Sequence, residues 1–334
     1  MTRHWARICR GGVLAATFAV FLGAPIARSE EIVVSNYGVS ANGMPYAVAL
    51  AKDFFKAEGA NVTGIITSAG GGTTLRNMLA GNAPYAEVTP NAVVAAAQQG
   101  ADLKIVSNNV LTVAEFVWAV KPDSPIKSIK DFKGKKIGYT NPRSTSQALA
   151  ILLLQAAGLQ ATDAELVRTG GFGEGVAALD IGAIDVAPMA EPVWSKFKGK
   201  YRAVVAASDV LPPLDNVVGV TTSAAAASRG DFIRAVIRAR RQAVDFMNAN
   251  PDEAGDIIAK VYNIEPAVAR SAVRSLTASR TKGIPYWGNG QFHLDGMKRM
   301  MDVQKMVGAI SGEFDLAKMI DTSFLPDDIK TPKQ

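Results

Sequence analysis

The chain has 334 residues, of which 48% are hydrophobic and 20% charged, and its formal net charge is +6. The first 29 positions hold four arginines and no acidic residue, so the remainder carries 32 basic and 30 acidic residues in interleaved order. This balance gives no electrostatic reason to expect nucleic-acid binding. After position 29 there is no cysteine and one histidine, His293, which excludes disulfides and Cys/His zinc sites there.

The first 29 residues have the organisation of a secretory signal peptide. Three arginines precede an uncharged apolar stretch at 12–22, and Ala27 and Ser29 supply the small residues of a cleavage site. This order predicts export, cleavage after Ser29 and a periplasmic location. A membrane anchor is the alternative, but the apolar stretch is too short to cross a bilayer. The one cysteine, Cys9, precedes that stretch, whereas a lipoprotein cysteine would follow it.

Short apolar runs alternate with amphipathic helical runs from residue 32 onward. The predicted strands are 32–34, 62–67, 85–88 and 103–107, and the predicted helices between them are 45–56, 73–80 and 91–98. The strand runs are continuously apolar rather than alternating. This pattern indicates a parallel sheet covered by helices on both faces.

The same alternation returns in the middle of the chain. Strands are predicted at 136–139, 166–167, 184–187, 203–206 and 217–222, and helices at 144–157 and 173–180. Glycines that end helices or follow strands recur about 100 residues apart, which indicates two similar lobes; loop chemistry common to α/β chains is the alternative. The remainder is helical, with helices predicted at 230–250, 252–261, 266–276 and 291–307.

The sequence has no signature of covalent catalysis. Neither a Gly-x-Ser-x-Gly elbow nor a Gly-x4-Gly-Lys-Ser/Thr phosphate loop occurs. A Ser-His-Asp triad would have to use His293, at the start of a predicted helix. The glycines at 171–175 place the third glycine one position too early for a dinucleotide fingerprint. We therefore predict no catalytic residues, no metal and no cofactor.

Two loops have the composition of recognition sites. Residues 68–74 contain three consecutive glycines, which would let the backbone approach a ligand closely. Residues 141–147 contain Ser144 and Gln147 at the spacing of a capping box, and the spare helix amides with nearby hydroxyls suit an anion. Both loops follow predicted strands, where open α/β sheets bind ligands. A loose turn and an ordinary helix start are the alternatives.

Four segments resemble a known family, the binding proteins of ABC importers for aliphatic sulfonates, taurine, nitrate and the thiamine pyrimidine precursor. These segments are 45–59, 75–81, 123–138 and 182–194. The third, DSPIKSIKDFKGKKIG, is the most specific, because it matches the family's D-S-x-I-K-S-hydrophobic-x-D-L-K-G-K-K pattern almost throughout. The resemblance runs from about residue 32 to residue 222.

The resemblance implies a type II periplasmic binding protein fold of the α/β class. Two doubly wound lobes would be joined by two crossover strands, near 118–121 and 217–222, and followed by a helical tail. Residues 30–119 with 221–334 would form the first lobe, and residues 120–220 the second. The implied protein is a monomer that captures a small-molecule ligand and delivers it to an inner-membrane ABC permease with its cytoplasmic ATPase. A receptor of a tripartite secondary transporter and a ligand sensor without a transporter are the alternatives.

The resemblance also implies which residues line the cleft between the lobes. The first lobe would contribute Asn36, Tyr37, Gly38, Gly71, Gly72, Thr73, Thr89 and Asn91, and the second Arg143, Ser144, Thr145 and Glu191. Two residues depart from the family pattern, which usually has Asp at Tyr85 and a small or apolar residue at Glu87. The two predicted helix starts favour an anionic or zwitterionic ligand. Glu87 and Glu191 would instead favour an amine or a zwitterion if both faced the cleft.

Overall fold

The computed structural model describes residues 30–333, so the predicted leader and its cleavage site lie outside the described residues. The strands are β1 (Glu30–Ser35), β2 (Val62–Ser68), β3 (Ala86–Val88), β4 (Leu103–Val110), β5 (Phe116–Val120), β6 (Lys136–Tyr139), β7 (Glu165–Arg168), β8 (Ala187–Ala190), β9 (Arg202–Ala206), β10 (Val217–Thr222), β11 (Arg280–Thr281), β12 (Ile284–Pro285) and β13 (Trp287–Gly290).

The helices cover the sheets and make up most of the C-terminal third. They are α1 (Met44–Ala51), α2 (Phe54–Ala57), α3 (Gly71–Gly81), α4 (Pro90–Gln98), α5 (Thr145–Ala156), α6 (Phe172–Asp180), α7 (Val193–Phe197), α8 (Ala207–Val210), α9 (Ser223–Ser228), α10 (Gly230–Ala249), α11 (Pro251–Tyr262), α12 (Pro266–Ala278), α13 (Leu294–Met306) and α14 (Leu316–Met319). Within residues 30–333, no helix is long and apolar enough to span a membrane.

The largest sheet has six strands in the order β13-β4-β10-β3-β1-β2. Strand β1 pairs in parallel with β2 and β3, whereas β10 pairs antiparallel with both β3 and β4. The sheet is therefore mixed, and the predicted parallel arrangement holds only for β1 to β3. The physical reason is the path of the chain, since β10 enters this sheet on its return from the second sheet and must run against β3.

The second layer is built around β5, which pairs antiparallel with β8 and β9, while β6 and β7 form a parallel pair. A bridge between Ile137 and Val186, with the Gly138 amide donating to the Val186 carbonyl at 2.8 Å, connects the two groups of strands. The strand predicted at 184–187 therefore begins only at Ala187. The preceding residues turn from helix α6 toward β6.

Sheet membership locates the passages between the two layers. Strand β5 belongs wholly to the second layer and β10 wholly to the six-stranded sheet. The chain therefore passes between them at 111–115 and 211–216, earlier than the predicted crossover strands. We propose that the boundaries between the two lobes fall within these two crossing segments.

The helix predicted at 45–56 is interrupted. Helix α1 ends at Ala51, and Asp53 adopts a left-handed conformation with φ of 56° before α2 begins. Aspartate tolerates this conformation better than most residues. The break turns Phe55 into the core, where its ring stacks on Tyr46 with centroids 6.5 Å apart. The predicted C-terminal helices are confirmed as α10 to α13, with bounds shifted by a few residues.

Candidate functional site

The carboxyl ends of β1, β2 and β3 carry the predicted ligand-binding residues of the first lobe. The Asn36 amide donates to the Ser68 carbonyl at 2.9 Å, which joins the loops after β1 and β2. Both Asn36 and Gly38 have positive φ angles, of 53° and 88°, so the chain turns sharply around Tyr37. The ring of Tyr37 packs edge-on against Tyr262, with centroids 5.6 Å apart. Burial raises the pKa of Tyr37 to about 12, so its phenol is a neutral hydrogen-bonding group at ordinary pH.

The triple-glycine segment is helical rather than a loop, because α3 begins at Gly71. A side-chain carbon on Gly71 would lie 2.6 Å from the Cβ of Ala92 and 3.0 Å from the hydroxyl of Thr89. Gly71 therefore lets the first turns of α3 and α4 meet, so helix packing gives a second reason for this glycine, and the close approach of a ligand stays a prediction. A side-chain carbon on Gly72 would have only ordinary contacts.

The remaining predicted residues of the first lobe lie around this contact. Thr73 accepts a hydrogen bond from Arg76 at 2.9 Å. Thr89 is the residue before α4 and makes no side-chain capping bond, and Asn91 is half-buried in the first turn of that helix. The neighbouring Thr74 is fully buried, and its hydroxyl lies 2.7 Å from that of Ser35 and 2.6 Å from that of Ser68.

The start of α5 differs in detail from the predicted capping box. The Ser144 hydroxyl accepts from the Gln147 amide at 3.2 Å, as predicted. The Gln147 side chain, however, accepts from the amide of Arg143 at 2.7 Å. The cause is the left-handed backbone of Arg143, with φ of 64°, which turns its amide toward the helix. The Arg143 side chain is exposed and has no hydrogen bond or ion pair to any residue in the range 30–333.

The hydroxyl groups beside Arg143 are already occupied. Ser146 is buried, and its hydroxyl lies 2.8 Å from that of Thr140 and 3.0 Å from that of Ser144. Thr145 donates to Asn216 at 3.1 Å. To hold an anion, Ser146 and Thr145 would each have to exchange a present hydrogen-bond partner, so the anion-binding role of these hydroxyls stays a prediction.

Glu191 follows β8 and is 3% exposed. Its carboxylate accepts from the amide and the hydroxyl of Ser195, both at 3.1 Å, and so caps the short helix α7. Burial raises the pKa of Glu191, and these hydrogen bonds partly oppose the rise. Glu191 could face the cleft or orient its own loop, and these contacts support the orientation of the loop. The Ser195 hydroxyl also donates to that of Ser271 on α12, at 2.9 Å.

Glu87 belongs to a buried polar network behind the six-stranded sheet. Its carboxylate accepts from Asn42 at 3.0 Å, Tyr46 at 2.8 Å and Asn109 at 2.7 Å, and it forms an ion pair of 3.3 Å with Arg240 on α10. Burial raises the pKa of Glu87 and the Arg240 charge lowers it. The Tyr85 hydroxyl lies 2.9 Å from that of Tyr46. Both departures from the family pattern are thus explained by one network of the core.

The crossing segments contribute side chains to the second-lobe group that no sequence pattern indicated. Asn216 accepts from Thr145 and donates to the carboxyl of Glu115 at 2.9 Å, and the Glu191 amide donates to the Glu115 carbonyl at 3.1 Å. Burial raises the pKa of Glu115 to about 8, and the hydrogen bond from Asn216 with the nearby Tyr286 hydroxyl offsets this rise only in part. In the sequence, the one sign of this role is that Glu115 is the only charged residue within the apolar run 110–120.

These contacts divide the predicted site into two groups. The residues of the first lobe are joined to one another around the starts of α3 and α4. Those of the second lobe are joined through Asn216 and Glu115. Among the described residues no hydrogen bond connects one group directly to the other, and no group of three or more His, Cys, Asp or Glu side chains is placed to hold a metal ion.

Residues 40–254 match the family model described as NMT1/THI5 like. The chain belongs to the NMT1/THI5-like family. A curated relative of this family member is the riboflavin-binding protein RibY of Chloroflexus aurantiacus, 25% identical over 309 residues that cover 84% of the chain and 82% of the relative. The predicted resemblance to importer binding proteins is consistent with this assignment.

Solved structures confirm the fold of this NMT1/THI5-like protein. The periplasmic aliphatic sulphonate binding protein SsuA of Escherichia coli matches with a TM-score of 0.74 and 18% identity, covering 88% of this chain and 92% of that one. The nitrate-binding protein NrtA of Synechocystis matches with a TM-score of 0.70 and 14% identity, covering 93% and 92%. The desulfurization enzyme DSZB matches with 0.64 and 14%, covering 89% and 97%. The periplasmic binding protein fold therefore carries both binding proteins and an enzyme.

Proposed function

We propose that this protein is the periplasmic substrate-binding component of an ABC-type importer. It takes up a small organic solute between its two lobes and delivers it to a membrane permease, without covalent chemistry. The observation that carries the proposal is that the predicted ligand-binding residues form two separate sets at strand ends, and that the second set is anchored to the crossing segment 211–216 by the hydrogen bond between Thr145 and Asn216. A solute that contacts both sets would favour the closed arrangement of the lobes.

An anionic or zwitterionic solute suits the groups available. The first turns of α3 and α5 present amides, Tyr37 and Asn91 present neutral polar groups, and Arg143 supplies an unpaired charge. Helix starts and a cation stabilise bound anions. Glu87 and Glu191 do not oppose this assignment, because other side chains already bind both carboxylates.

Isothermal calorimetry on two variants tests the binding site. A thermal-shift screen of sulfonates, carboxylates, phosphates and pyrimidines would first identify a solute that raises the apparent stability. Arg143→Ala should weaken the binding of an anion at least about tenfold, since a charge-assisted hydrogen bond contributes about 1.5–3 kcal/mol. Glu191→Gln is the matched control and should bind nearly as the original chain does. A loss with Glu191→Gln and none with Arg143→Ala would refute this site.

Riboflavin is a second candidate solute, because the curated relative named above is a riboflavin-binding protein. A fluorescence titration distinguishes the two candidates directly. Quenching of flavin emission at micromolar protein would favour a flavin, and no change in emission would leave the anionic or zwitterionic solute. In either case, mass spectrometry should recover the bound solute unchanged, and a converted product would contradict the proposed absence of catalysis.

The proposed location has its own test. Protein recovered from the periplasmic fraction should begin at Glu30, as expected from cleavage after Ser29. Full-length protein found only in the cytosolic fraction would remove the transport proposal.

A further inference from the structure

The arginines near the proposed cleft lack the carboxylate partners that most other arginines of the described chain have. Between residues 30 and 333, Arg202 and Arg280 donate to backbone carbonyls. Ion pairs engage Arg229, Arg234, Arg238, Arg240, Arg241, Arg270, Arg274 and Arg299. The arginines that remain are Arg76, Arg143 and Arg168. All three are exposed: Arg76 is in the second turn of α3, Arg143 is in the loop between β6 and α5, and Arg168 is the last residue of β7.

Arg76 belongs to the first lobe. It follows Thr73 by one turn of α3, and its Nη2 donates to the Thr73 hydroxyl at 2.9 Å. Its Nη1 lies 3.7 Å from the position that a side-chain carbon of Gly72 would occupy. The guanidinium therefore folds back to the start of α3, beside the carboxyl end of β2.

Arg168 belongs to the second lobe, as the last residue of β7. Its Nε donates to the Asn141 side-chain carbonyl at 3.4 Å, and the Asn141 amide group donates to the Gly170 carbonyl at 2.8 Å. Asn141 is in the same loop as Arg143. Arg168 is therefore tied to the loop that carries Arg143, and both arginines lie at or just after the ends of the paired strands β6 and β7.

The carboxylates of this region do not neutralise these two arginines in the structure. Glu191 is bound to Ser195. Glu174, in the first turn of α6, is exposed and folds back over Gly171. No ion pair joins Glu174 to Arg168 or to Arg143 within the described residues. Closing the lobes around a solute would remove water from three cations, and that desolvation is costly unless the solute supplies the counter-charge.

We propose that Arg76, Arg143 and Arg168 select a solute that carries two negative charges, either a dicarboxylate or a phosphate monoester. A dicarboxylate places one carboxylate on Arg143 and Arg168 at the second lobe and the other on Arg76 at the first, whereas a phosphate monoester shares its doubly charged phosphate among the three guanidinium groups. Arginine suits both chemistries because its planar donors match carboxylate and phosphate oxygens. This inference rests on the proposed function and names its substrate class, and it adds Arg76 and Arg168 to the predicted site.

Calorimetry with matched pairs of probes tests the proposal. Succinate is compared with succinamate, which lacks one charge, and ethyl phosphate with ethanesulfonate, which has a similar shape and a single charge. The dianion of at least one pair should bind about tenfold more tightly, or about 1.4 kcal/mol. The pair that shows the preference identifies the carboxylate or the phosphate chemistry. Added salt should weaken the dianion more steeply than the monoanion.

Two variants assign the preference to these residues. Arg76→Gln should remove most of the preference for the dianion and leave monoanion binding within about threefold, whereas Arg168→Gln should weaken the dianion and the monoanion alike, because either one binds Arg143 and Arg168 through one anionic group. Arg274→Gln is the matched control, because Arg274 is equally exposed and its partner is Asp252. The melting temperature and circular dichroism of each variant report whether it remains folded.

The proposal is overturned if both members of each pair bind equally, if Arg76→Gln keeps the preference, if Arg168→Gln leaves both affinities unchanged, or if no dianion binds at millimolar concentration. Binding of uncharged solutes alone would overturn it as well. Each of these results would leave the importer-receptor function standing as long as some solute binds. A protein that binds no solute in the wider screen would refute both proposals.

Discussion

At the scale of single residues, buried carboxyl groups differ in how well their surroundings compensate them. Burial raises the pKa of Glu87, Glu191, Glu115 and Asp215 alike. Glu87 faces Arg240, and Glu191 receives two hydrogen bonds from Ser195. One carboxyl oxygen of Glu115 is buried and has no hydrogen-bond partner among the described residues. Glu115 is therefore less well compensated than Glu87 and Glu191, and Asp215 likewise keeps one buried oxygen without a hydrogen bond among the described residues.

This difference predicts a pH dependence of stability. Glu115 has a pKa of about 8 in the folded protein, against about 4.3 for an unfolded chain. The folded state thus holds the proton more tightly. The contribution of Glu115 to stability is fully present below about pH 4, falls as the pH rises through the interval, and levels off above about pH 8. Glu115→Gln keeps an acceptor for Asn216 and has no proton to lose, so its stability should fall less over this interval.

Urea unfolding at several pH values between about 5 and 8 measures the effect. The stability of Glu115→Gln relative to the original chain should rise with pH, by up to about 1.4 kcal/mol per pH unit. The control is Glu313→Gln, since the Glu313 side chain is 97% exposed, and its curve should run parallel to that of the original chain. Parallel curves for Glu115→Gln would show that Glu115 is ionised in the folded protein.

At the scale of elements, the start of α3 depends on one of two adjacent glycines. A side-chain carbon at Gly71 would overlap Ala92 on α4, whereas one at Gly72 would meet nothing closer than 3.7 Å. Both positions are helical. Alanine substitutions at the two positions therefore measure two effects separately. At Gly71 they measure the cost of crowding, and at Gly72 the gain in helix stability that alanine brings over glycine.

Gly71→Ala should lower the free energy of unfolding by about 1–3 kcal/mol, the usual cost of forcing atoms into a packed interface. Gly72→Ala should raise it by about 0.5–1 kcal/mol, because alanine loses less conformational entropy in a helix. Denaturant titration of the two variants measures both. Equal effects of the same sign would contradict the assignment of Gly71 to the contact between α3 and α4.

At the scale of the whole molecule, the lobes are joined by more than the two crossing segments. Helix α13 packs against both α4 and α5, and its Met300 and Met301 share a hydrophobic cluster with Val94 of α4 and Leu149 of α5. Helix α12 reaches α7, where Ser271 receives hydrogen bonds from Ser195 and from Lys198 at 2.5 Å. The last contact is polar and small, so it is the one that lobe motion can break at low cost.

A disulfide can report this contact. Ser195→Cys combined with Ser271→Cys places two thiols where the hydroxyls lie 2.9 Å apart, and no other cysteine follows position 29. Mild oxidation should link them, seen as the loss of two free thiols and an altered electrophoretic mobility. If the lobes rock, a saturating solute should accelerate the reaction. Each single variant is a control, and a failure to link with or without solute would place α7 and α12 apart in solution.

Local patterns in the sequence predicted most elements and the family. Helices α4 to α6 and α10 to α13 follow from apolar spacing, and Ser144 caps α5 as its residue type indicates. The segment at 123–138 was sufficient for the resemblance. These features depend on residues close together in the chain, so short-range periodicity and capping chemistry determine them.

Tertiary contacts decided which partners the buried carboxylates have and which side chains surround the predicted site. Glu87 is fully buried because Arg240, from the distant helix α10, and Asn109 compensate its charge in the core. Gly71 is required by Ala92, and Arg76 and Arg168 stand out only because no carboxylate reaches them. Each of these contacts joins residues that are far apart in the chain. Local spacing in a strand shows which residues share a face of the sheet. It does not show which remote side chains pack against that face, so these contacts could not be predicted from the sequence alone.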